Sequence, residues 1–461
     1  MELFGRKALV VGLARSGVAA GRLLCREGAI VTATDVRPAS ALADAVARLL
    51  PLGVRFELGG HEEAAFLAAD LIVVSPGVPL AGPELGAARR AGVPILGEAE
   101  LASRFVPEPL VAITGTNGKS TTTALIGHLL SAAGKRVFVG GNLGTPFCER
   151  VLDGGELDVS VVELSSFQLE AVETLRPQVA VLTNLTPDHL DRYPDADAYY
   201  EAKRAIFRAQ EAGDFAVVNA GDPKTLALHA GARSSPFSFG AAYYGVAPAF
   251  AGARDDGAAL HVAGLPGMAD GQESYEDLGK ALRGRHNREN AMAAILAARL
   301  CGVPADAIRA ALPTFGGLPH RLELVRVRGG VEWLNDSKAT NVDSAYVALA
   351  ALPGPVVWIA GGLGKGAPYA PLRPLLEGRV KSILTIGSDA GAIAAQLGDL
   401  TPIVPCGTLD EAVRVAEREA SAGDAVLLSP ACASFDQFTS YVHRGEAFRS
   451  LVEALGPEAA G

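Results

Sequence analysis

The chain has little with which to span a membrane, wrap a nucleic acid or staple itself by disulfides. Of 461 residues only five are cysteine, three methionine and two tryptophan, and aromatic residues make up 6%. Cys25, Cys148, Cys301, Cys406 and Cys432 are odd in number, scattered and never spaced as CxxC. That usage excludes a disulfide framework and a thiolate metal site, and it fits a reducing compartment. No apolar stretch approaches the ~18 residues of a membrane span. The N-terminal apolar run is broken by Arg15, so it reads as a buried strand and not as a signal peptide. There is no run of basic residues and the formal net charge is −10, which excludes nucleic acid and membrane as expected partners. The expectation is a cytoplasmic protein, a monomer by default. What the chain does have is 49% hydrophobic residues against 20% charged, enough for sizeable cores. At roughly 100–200 residues per domain it should form two to four domains.

Short β-branched runs alternate with longer Ala/Leu/Arg-rich runs, the pattern of parallel sheets with crossover helices. Three blocks separate: 1–97, 98–302 and 303–461. The first has strands at 8–11, 30–34 and 71–74 and a helix at 16–27. The second opens with a strand at 110–114, a Gly-rich loop and a helix from Lys119; further strands end at Glu163 and near Asn184. Residues 240–270 are rich in Gly and Ala and read as either short strands or loops. The third block has strands at 331–334, 356–360, 382–386 and 425–428, followed by NDSKATN, GGLGKG, GSD and SPACAS. Ligands of open α/β sheets sit at the carboxyl ends of strands, so four polar loops in such places suggest one site edge.

ITGTNGKSTTT at 113–123 is the strongest local signal. Gly115 and Gly118 let backbone N–H groups face an anion, and the helix N-terminus adds partial positive charge. Lys119 suits the β- and γ-phosphates, and Ser120 or Thr121 suits Mg²⁺; Ile113 departs from the general phosphate loop. VVGLARSGVAAG at 10–21 resembles a dinucleotide fingerprint, with Asp35 ending the next strand, but Ala14 replaces its middle glycine. Glu163 at a strand end reads equally as a Mg²⁺ ligand or as a neighbour of a helix cap made by Ser165 and Ser166. NLTPDHLDRY gathers Asp188, His189, Asp191 and Arg192, a metal or phosphate set or a polar turn. Lys203 falls on the apolar side of a helix expected at 198–210. By itself it reads first as a snorkelling lysine and second as a desolvated, reactive amine. Only nine of the 41 basic residues are lysine, and Lys119, Lys203, Lys338 and Lys365 all fall in these polar segments. Asn287 and Asn290 at a helix start, and His320 with Arg321 in GLPHRLE, are weak signals alone.

Taken in order, TGTNGKST, GGNLGTP (140–146), ELSSFQLE (163–170), DHLDRYP (188–194), Ala202–Lys203, RHNREN (285–290), GLPHRLE (317–323), NDSKATN (335–341) and LSPACASFDQF (428–438) resemble the Mur ligase family over nearly the whole chain. The resemblance implies an α/β protein of three domains: a Rossmann-like UDP-binding domain, a central P-loop ATPase-type domain and a C-terminal Rossmann-like amino-acid domain. It implies an ATP-dependent ligase that adds D-glutamate to UDP-N-acetylmuramoyl-L-alanine through an acyl phosphate, in peptidoglycan precursor synthesis. Under it, Lys119, His189, Lys203 and Lys338 are catalytic. Ser120, Glu163 and His189 serve two Mg²⁺ sites, joined by Lys203 as a CO₂-derived carbamate. Gly115, Thr116, Asn117, Gly118, Lys119, Ser120, Thr121, Asn287, Asn290, Arg321 and Asp336 hold ATP. Arg15, Ser16, Asp35, Arg37, Gly77, Asn142 and Gln168 hold the UDP-substrate, with Val36 where a hydroxyl residue is expected. Thr340, Lys365, Ser434, Phe435 and Tyr441 hold D-glutamate.

Three other readings compete. A sister ligase with a different amino acid, or a folate polyglutamate ligase, would share the phosphate loop and the lysine; NDSKATN with SPACASFDQF favours D-glutamate. An NAD-dependent dehydrogenase would use the N-terminal unit, against which stand Ala14 and the second phosphate loop. A nucleotide switch without chemistry would not need Lys119, Glu163, His189 and Lys203 together.

Overall fold

The computed structural model describes residues 1–189, 192–240, 251–268 and 271–456. They form two compact units, Met1–Asp277 with Glu289–Leu312, and Leu278–Arg288 with Pro313–Gly461. Among the described residues there are three sheets, and no helix is long and apolar enough to cross a membrane.

The first unit holds two sheets. One is all parallel, in the order β3-β2-β1-β4-β5, from β1 (Lys7–Val11), β2 (Ile30–Asp35), β3 (Arg55–Leu58), β4 (Leu71–Val74) and β5 (Ile95–Gly97). Strands such as KALVV and LIVV are almost wholly apolar because helices cover both faces. Helix Arg15–Arg26 lays Val18, Ala19, Leu23 and Leu24 on this sheet, and each buried Val or Leu contributes about 1.5–3 kcal/mol. The second sheet runs β14-β13-β12-β11-β10-β9-β6-β8-β7. Its strands are β6 (Leu110–Thr114), β7 (Val137–Gly141), β8 (Val159–Glu163), β9 (Val179–Leu182), β10 (Phe215–Asn219), β11 (Ser235–Gly240), β12 (Gly252–Asp255), β13 (Leu260–Ala263) and β14 (Gln272–Tyr275). The stretch left open at 240–270 therefore contributes two antiparallel strands, joined by β14; residues 241–250 and 269–270 of it lie outside the described residues, as does Asp191. One apolar core runs continuously from Leu3 and Val10 through Leu101, Phe147 and Leu182 to Leu228, which is why both sheets belong to one unit. Across the same join, Arg22 pairs with Glu149 at 2.7 Å.

The second unit is built on one sheet, β15-β16-β20-β17-β18-β19, from β15 (Glu323–Arg328), β16 (Val331–Asn335), β17 (Val356–Gly361), β18 (Val380–Ile386), β19 (Ile403–Gly407) and β20 (Ala425–Leu428). Only β15 is antiparallel. Trp358 and Trp333, fully buried, pack in the cores on its two opposite sides.

One expected helix needs correction. The helix carrying Lys203 spans Ala196–Arg204 and tightens into a 3₁₀ turn at Ala205–Phe207, so it does not run from 198 to 210. Asp195 starts it early by accepting the Ala198 N–H at 2.8 Å. Beyond the turn the Gln210 amide donates to Pro177 O and Phe215 O.

Candidate active site

In the second sheet β6 lies between β8 and β9, all parallel. Their carboxyl ends therefore bring together the phosphate loop, Glu163 and the 183–189 segment. The loop is braced by that segment. Thr116 N–H donates to Asn184 O at 2.9 Å, Asn117 N–H to Asn184 Oδ1 at 2.9 Å, and Thr183 Oγ1 to Asn117 O at 2.6 Å. The bracing leaves no room for side chains: a Cβ at Gly115 would lie 2.0 Å from Thr183 Oγ1, and one at Gly118 2.2 Å from Asn290 Oδ1. Gly118 is left-handed and helix Lys119–Ala132 starts there without a side-chain cap, so its first N–H groups face the loop mouth. Lys119 Nζ donates to Thr116 O at 2.7 Å. Ser120 is buried and Asn290 is buried against Gly118.

Glu163 is 1% exposed. Its Oε1 accepts from Asn142 Nδ2 at 2.7 Å, while Oε2 is buried with no partner. The helix cap once set against a metal role is made without it: Ser165 caps helix Ser166–Leu169 in a box with Gln168. Lys203 is also 1% exposed. Its Nζ donates to Gly115 O at 2.9 Å and lies 4.4 Å from the Tyr199 ring centre. Burial, then the Lys119 charge, brings its pKa down to about 7, opposed by Asp188 and Glu163. His189 is half-exposed in a left-handed conformation, with its ring against Phe167 at 4.8 Å and Asp188 at 3.6 Å.

A buried carboxylate oxygen without a donor beside a phosphate loop asks for a cation. Among the described residues no three His, Cys, Asp or Glu converge to hold one alone. Mg²⁺ fits such a site, since it binds through one or two carboxylates together with phosphate oxygens and water.

Arg15, Ser16, Asp35, Arg37, Gly77, Asn142 and Gln168 line one cleft of about 460 Å³. Helix Arg15–Arg26 begins at its floor, again without a side-chain cap, and the Arg15 guanidinium donates to Gly144 O. The Asp35 carboxylate already has protein partners. It accepts from Leu13 N–H at 2.8 Å and from the Arg37 N–H, Nε and Nη2 at 2.8–3.0 Å. Burial raises its pKa, but these donors outweigh it and hold the carboxyl at about 2. Asn142 belongs to both places, lining the cleft and donating to Glu163. Arg192 ties them as well: it donates to Pro76 O, Gly77 O and Val78 O of the cleft and to Glu170, four residues from the Ser166 helix start.

In the second unit β16, β20, β17 and β18 are parallel neighbours, so the four polar loops do leave one sheet edge. Asp336 is buried there, accepting from Ser429 Oγ at 2.7 Å and Leu322 N–H at 3.2 Å; burial lifts its carboxyl to about 7 against those bonds and the Arg321 charge. Arg321, Lys365 and Phe435 are exposed, Ser434 is buried, and Thr340 and Tyr441 are half-buried. Lys338 Nζ stands 5.7 Å from the Tyr441 ring centre. The Asn287 amide donates to Arg283 O at 3.0 Å, within this unit. Sequence reading missed Arg444. It is 1% exposed and fastens two of these loops, donating to Ser337 O and Oγ and to Cys432 O and Ala433 O. Burial lowers its pKa to about 10. On a helix of mixed polarity it carries no signal separating it from a surface arginine.

Comparison with known proteins agrees along the chain. Residues 6–97 match the Mur ligase MurD-like N-terminal domain, 113–298 the Mur ligase middle domain and 320–432 the Mur ligase glutamate ligase domain. A UDP-N-acetylmuramoylalanine–D-glutamate ligase of Anaeromyxobacter dehalogenans is 59% identical, with 98% of each chain covered. One of Myxococcus xanthus is 53% identical, covering 99% of this chain and 100% of its own. A solved UDP-N-acetylmuramate-alanine ligase from Thermotoga maritima superposes with a TM-score of 0.58 at 20% identity over 97% of this chain and 99% of that one, a likeness of fold.

Proposed function

The chain belongs to the Mur ligase family, and we propose that it joins D-glutamate to UDP-N-acetylmuramoyl-L-alanine while converting ATP to ADP and phosphate. The observation that carries the reading is Asn142, which lines the 460 Å³ cleft and hydrogen-bonds the buried Glu163. A substrate lying in that cleft with its diphosphate at the Arg15 helix start would present its far end, a carboxylate, to the phosphate loop. The division proposed is 1–97 for the UDP-substrate, 98–302 for ATP and 303–461 for the amino acid. The protein works in the cytoplasm as a monomer.

The free carboxylate of the bound alanine attacks the γ-phosphorus of ATP. A P–O bond forms, the bond to the β-γ bridging oxygen breaks, and ADP leaves. The amine of D-glutamate attacks the carbonyl carbon of the acyl phosphate, and the tetrahedral adduct expels inorganic phosphate while the nitrogen gives its proton to solvent. Little covalent work falls to the protein; position and charge do most of it. Lys119 and the first N–H groups of its helix offset negative charge on the moving phosphoryl group. Mg²⁺, held by Ser120, Glu163 and His189, would supply Lewis-acid stabilisation of the phosphate oxygens. The lowered pKa of Lys203 supports its carbamylation: the neutral amine adds to CO₂ and loses a proton, and the resulting anionic oxygens would be further ligands for Mg²⁺. Gly115, Thr116, Asn117, Thr121, Asn287, Asn290, Arg321 and Asp336 are proposed to hold ATP. Thr340, Lys365, Ser434, Phe435 and Tyr441 are proposed to hold D-glutamate, with Lys338 adding positive charge.

Phosphate release from MgATP and UDP-N-acetylmuramoyl-L-alanine tests this, with D-glutamate, L-glutamate, L-lysine or diaminopimelate added in turn. Release is expected with D-glutamate alone. Release with another amino acid would keep the mechanism and move the specificity, and no release with any would refute the activity.

A further inference from the structure

The wall of the cleft at the end of β2 is short of hydrogen-bond acceptors. The Asp35 carboxylate is saturated by Leu13 and Arg37, and Val36 is apolar and 65% exposed. His61 stands in the same wall, just after the next strand, and nothing in the family resemblance drew attention to it. Its ring is held from two sides. Phe66, itself buried, meets it edge-on at 5.6 Å and 74°. Thr34, fully buried, places Oγ1 2.8 Å from Nδ1.

These contacts favour one tautomer. Thr34 Oγ1 also lies 3.3 Å from Gly60 O. A hydroxyl has one proton, and a carbonyl can only accept. Both contacts are satisfied in one way: Thr34 donates to Gly60 O and accepts from His61 Nδ1–H. The lone pair then rests on Nε2, for which the described residues offer no hydrogen-bond partner.

We propose that His61 reads the nucleotide base in this cleft, its Nε2 accepting the N3–H of uracil. Uracil presents a donor at N3 between two carbonyl acceptors, whereas cytosine presents a lone pair at N3, which would face the Nε2 lone pair. The remaining Nη1 of Arg37 and nearby backbone N–H groups are of the right kind for the carbonyls. His61 is thus a specificity-determining residue, and it does for this chain what a hydroxyl at position 36 would do. The inference rests on the reading that the cleft takes the UDP end of the substrate.

Titration calorimetry of UDP and CDP against the wild-type protein, His61→Ala and His61→Gln tests it, with melting temperatures recorded to establish that each variant is folded. Wild type should bind UDP about tenfold tighter than CDP, the worth of one well-placed hydrogen bond. His61→Ala should bring the ratio close to one by weakening UDP, and His61→Gln, which keeps an acceptor oxygen, should recover part of it. An unchanged ratio in His61→Ala, or equal weakening of both nucleotides, would overturn the proposal and leave His61 a wall residue. Turnover is measured separately. Base preference lost in His61→Ala, with no turnover by wild type, would refute the ligase and keep His61 as the base reader. Turnover with an unaltered ratio would do the reverse, and failure of UDP to bind the wild type would overturn the role given to His61, whatever the turnover.

Discussion

At the end of β1 the chain turns into helix Arg15–Arg26, and at the end of β6 into helix Lys119–Ala132; neither helix has a side-chain N-cap. What stands beside the two turns differs. At the first, the buried carboxylate of Asp35 has every oxygen answered by Leu13 and Arg37 and is held at about 2. At the second, Glu163 has one oxygen answered by Asn142 and one by nothing, and Lys203 is brought down to about 7. A completed polar network fixes a shape, while an incomplete one is costly unless a ligand completes it. On the function proposed above, the first turn serves as a receptor and the second as the place for chemistry, and substitutions should separate accordingly into effects on KM and on kcat.

The largest effect is expected at the second turn. Lys203→Ala should lower kcat about 10³-fold, the scale of removing a group that stabilises transition-state charge. The sign of the pH dependence follows from the shift. With a folded pKa near 7, the amine is neutral above that pH and cationic below, and only the neutral form adds CO₂. In bicarbonate-poor buffer the wild-type rate should fall as pH drops through about 7, and added bicarbonate should raise the rate most at and above that pH, where the amine is neutral, and least below it. A ¹³C signal from labelled bicarbonate, present in wild type and absent from Lys203→Ala, would identify the adduct. A rate indifferent to bicarbonate would leave Lys203 a simple cation. Next, Glu163→Gln keeps the shape and the Asn142 bond but removes the charge. It should cost about 10²-fold in kcat and raise the Mg²⁺ concentration for half-maximal rate, and an unchanged Mg²⁺ titration would remove Glu163 from the metal site.

Arg192 crosses the boundary between these regions, with its guanidinium on Pro76 O, Gly77 O, Val78 O and Glu170 and its N–H on His189 O. Arg192→Ala should therefore move both parameters, each about tenfold, in steady-state kinetics. A change in KM alone would assign it to the receptor and make the two regions independent.

The contrast was partly legible in the sequence. Strand, glycine turn and helix can be read at 8–27, and strand, glycine turn and helix start from 110 to Lys119, because glycine and β-branched runs are local signals. The four loops of the second unit read as one edge because parallel strands must all end on the same side. Lys203 read first as a snorkelling lysine because helical periodicity places a residue on a face without saying whether its charge is desolvated. The state of Asp35 was illegible for a similar reason: that Leu13 and Arg37 saturate it depends on backbone geometry, not on residue type. Strands β12 and β13 were obscured by a Gly/Ala-rich stretch with few long side chains to show a period of two. Arg444 gave no sign at all, since a buried arginine bound by carbonyls has no acidic partner in the sequence to betray it.

The smallest effect is expected at the first turn, and it tests the contrast most finely. Arg15 has two conceivable duties there: its guanidinium donates to Gly144 O in the 140–146 loop, and its charge stands where the substrate diphosphate is proposed to lie. Arg15→Gln separates them, because glutamine keeps a donor and loses the charge. If the charge is what counts, KM for the UDP-substrate should rise about tenfold, with kcat moving far less, and the increase of KM with ionic strength should flatten, since an exposed charge acts through a screened field. If the tether is what counts, Arg15→Gln should behave like wild type, and only Arg15→Ala should show the loss. A fall in kcat with KM unmoved would mean that Arg15 shapes the loop bearing Asn142, and through it Glu163, so that the first turn shares in the chemistry and the division between receptor and reactive site does not hold.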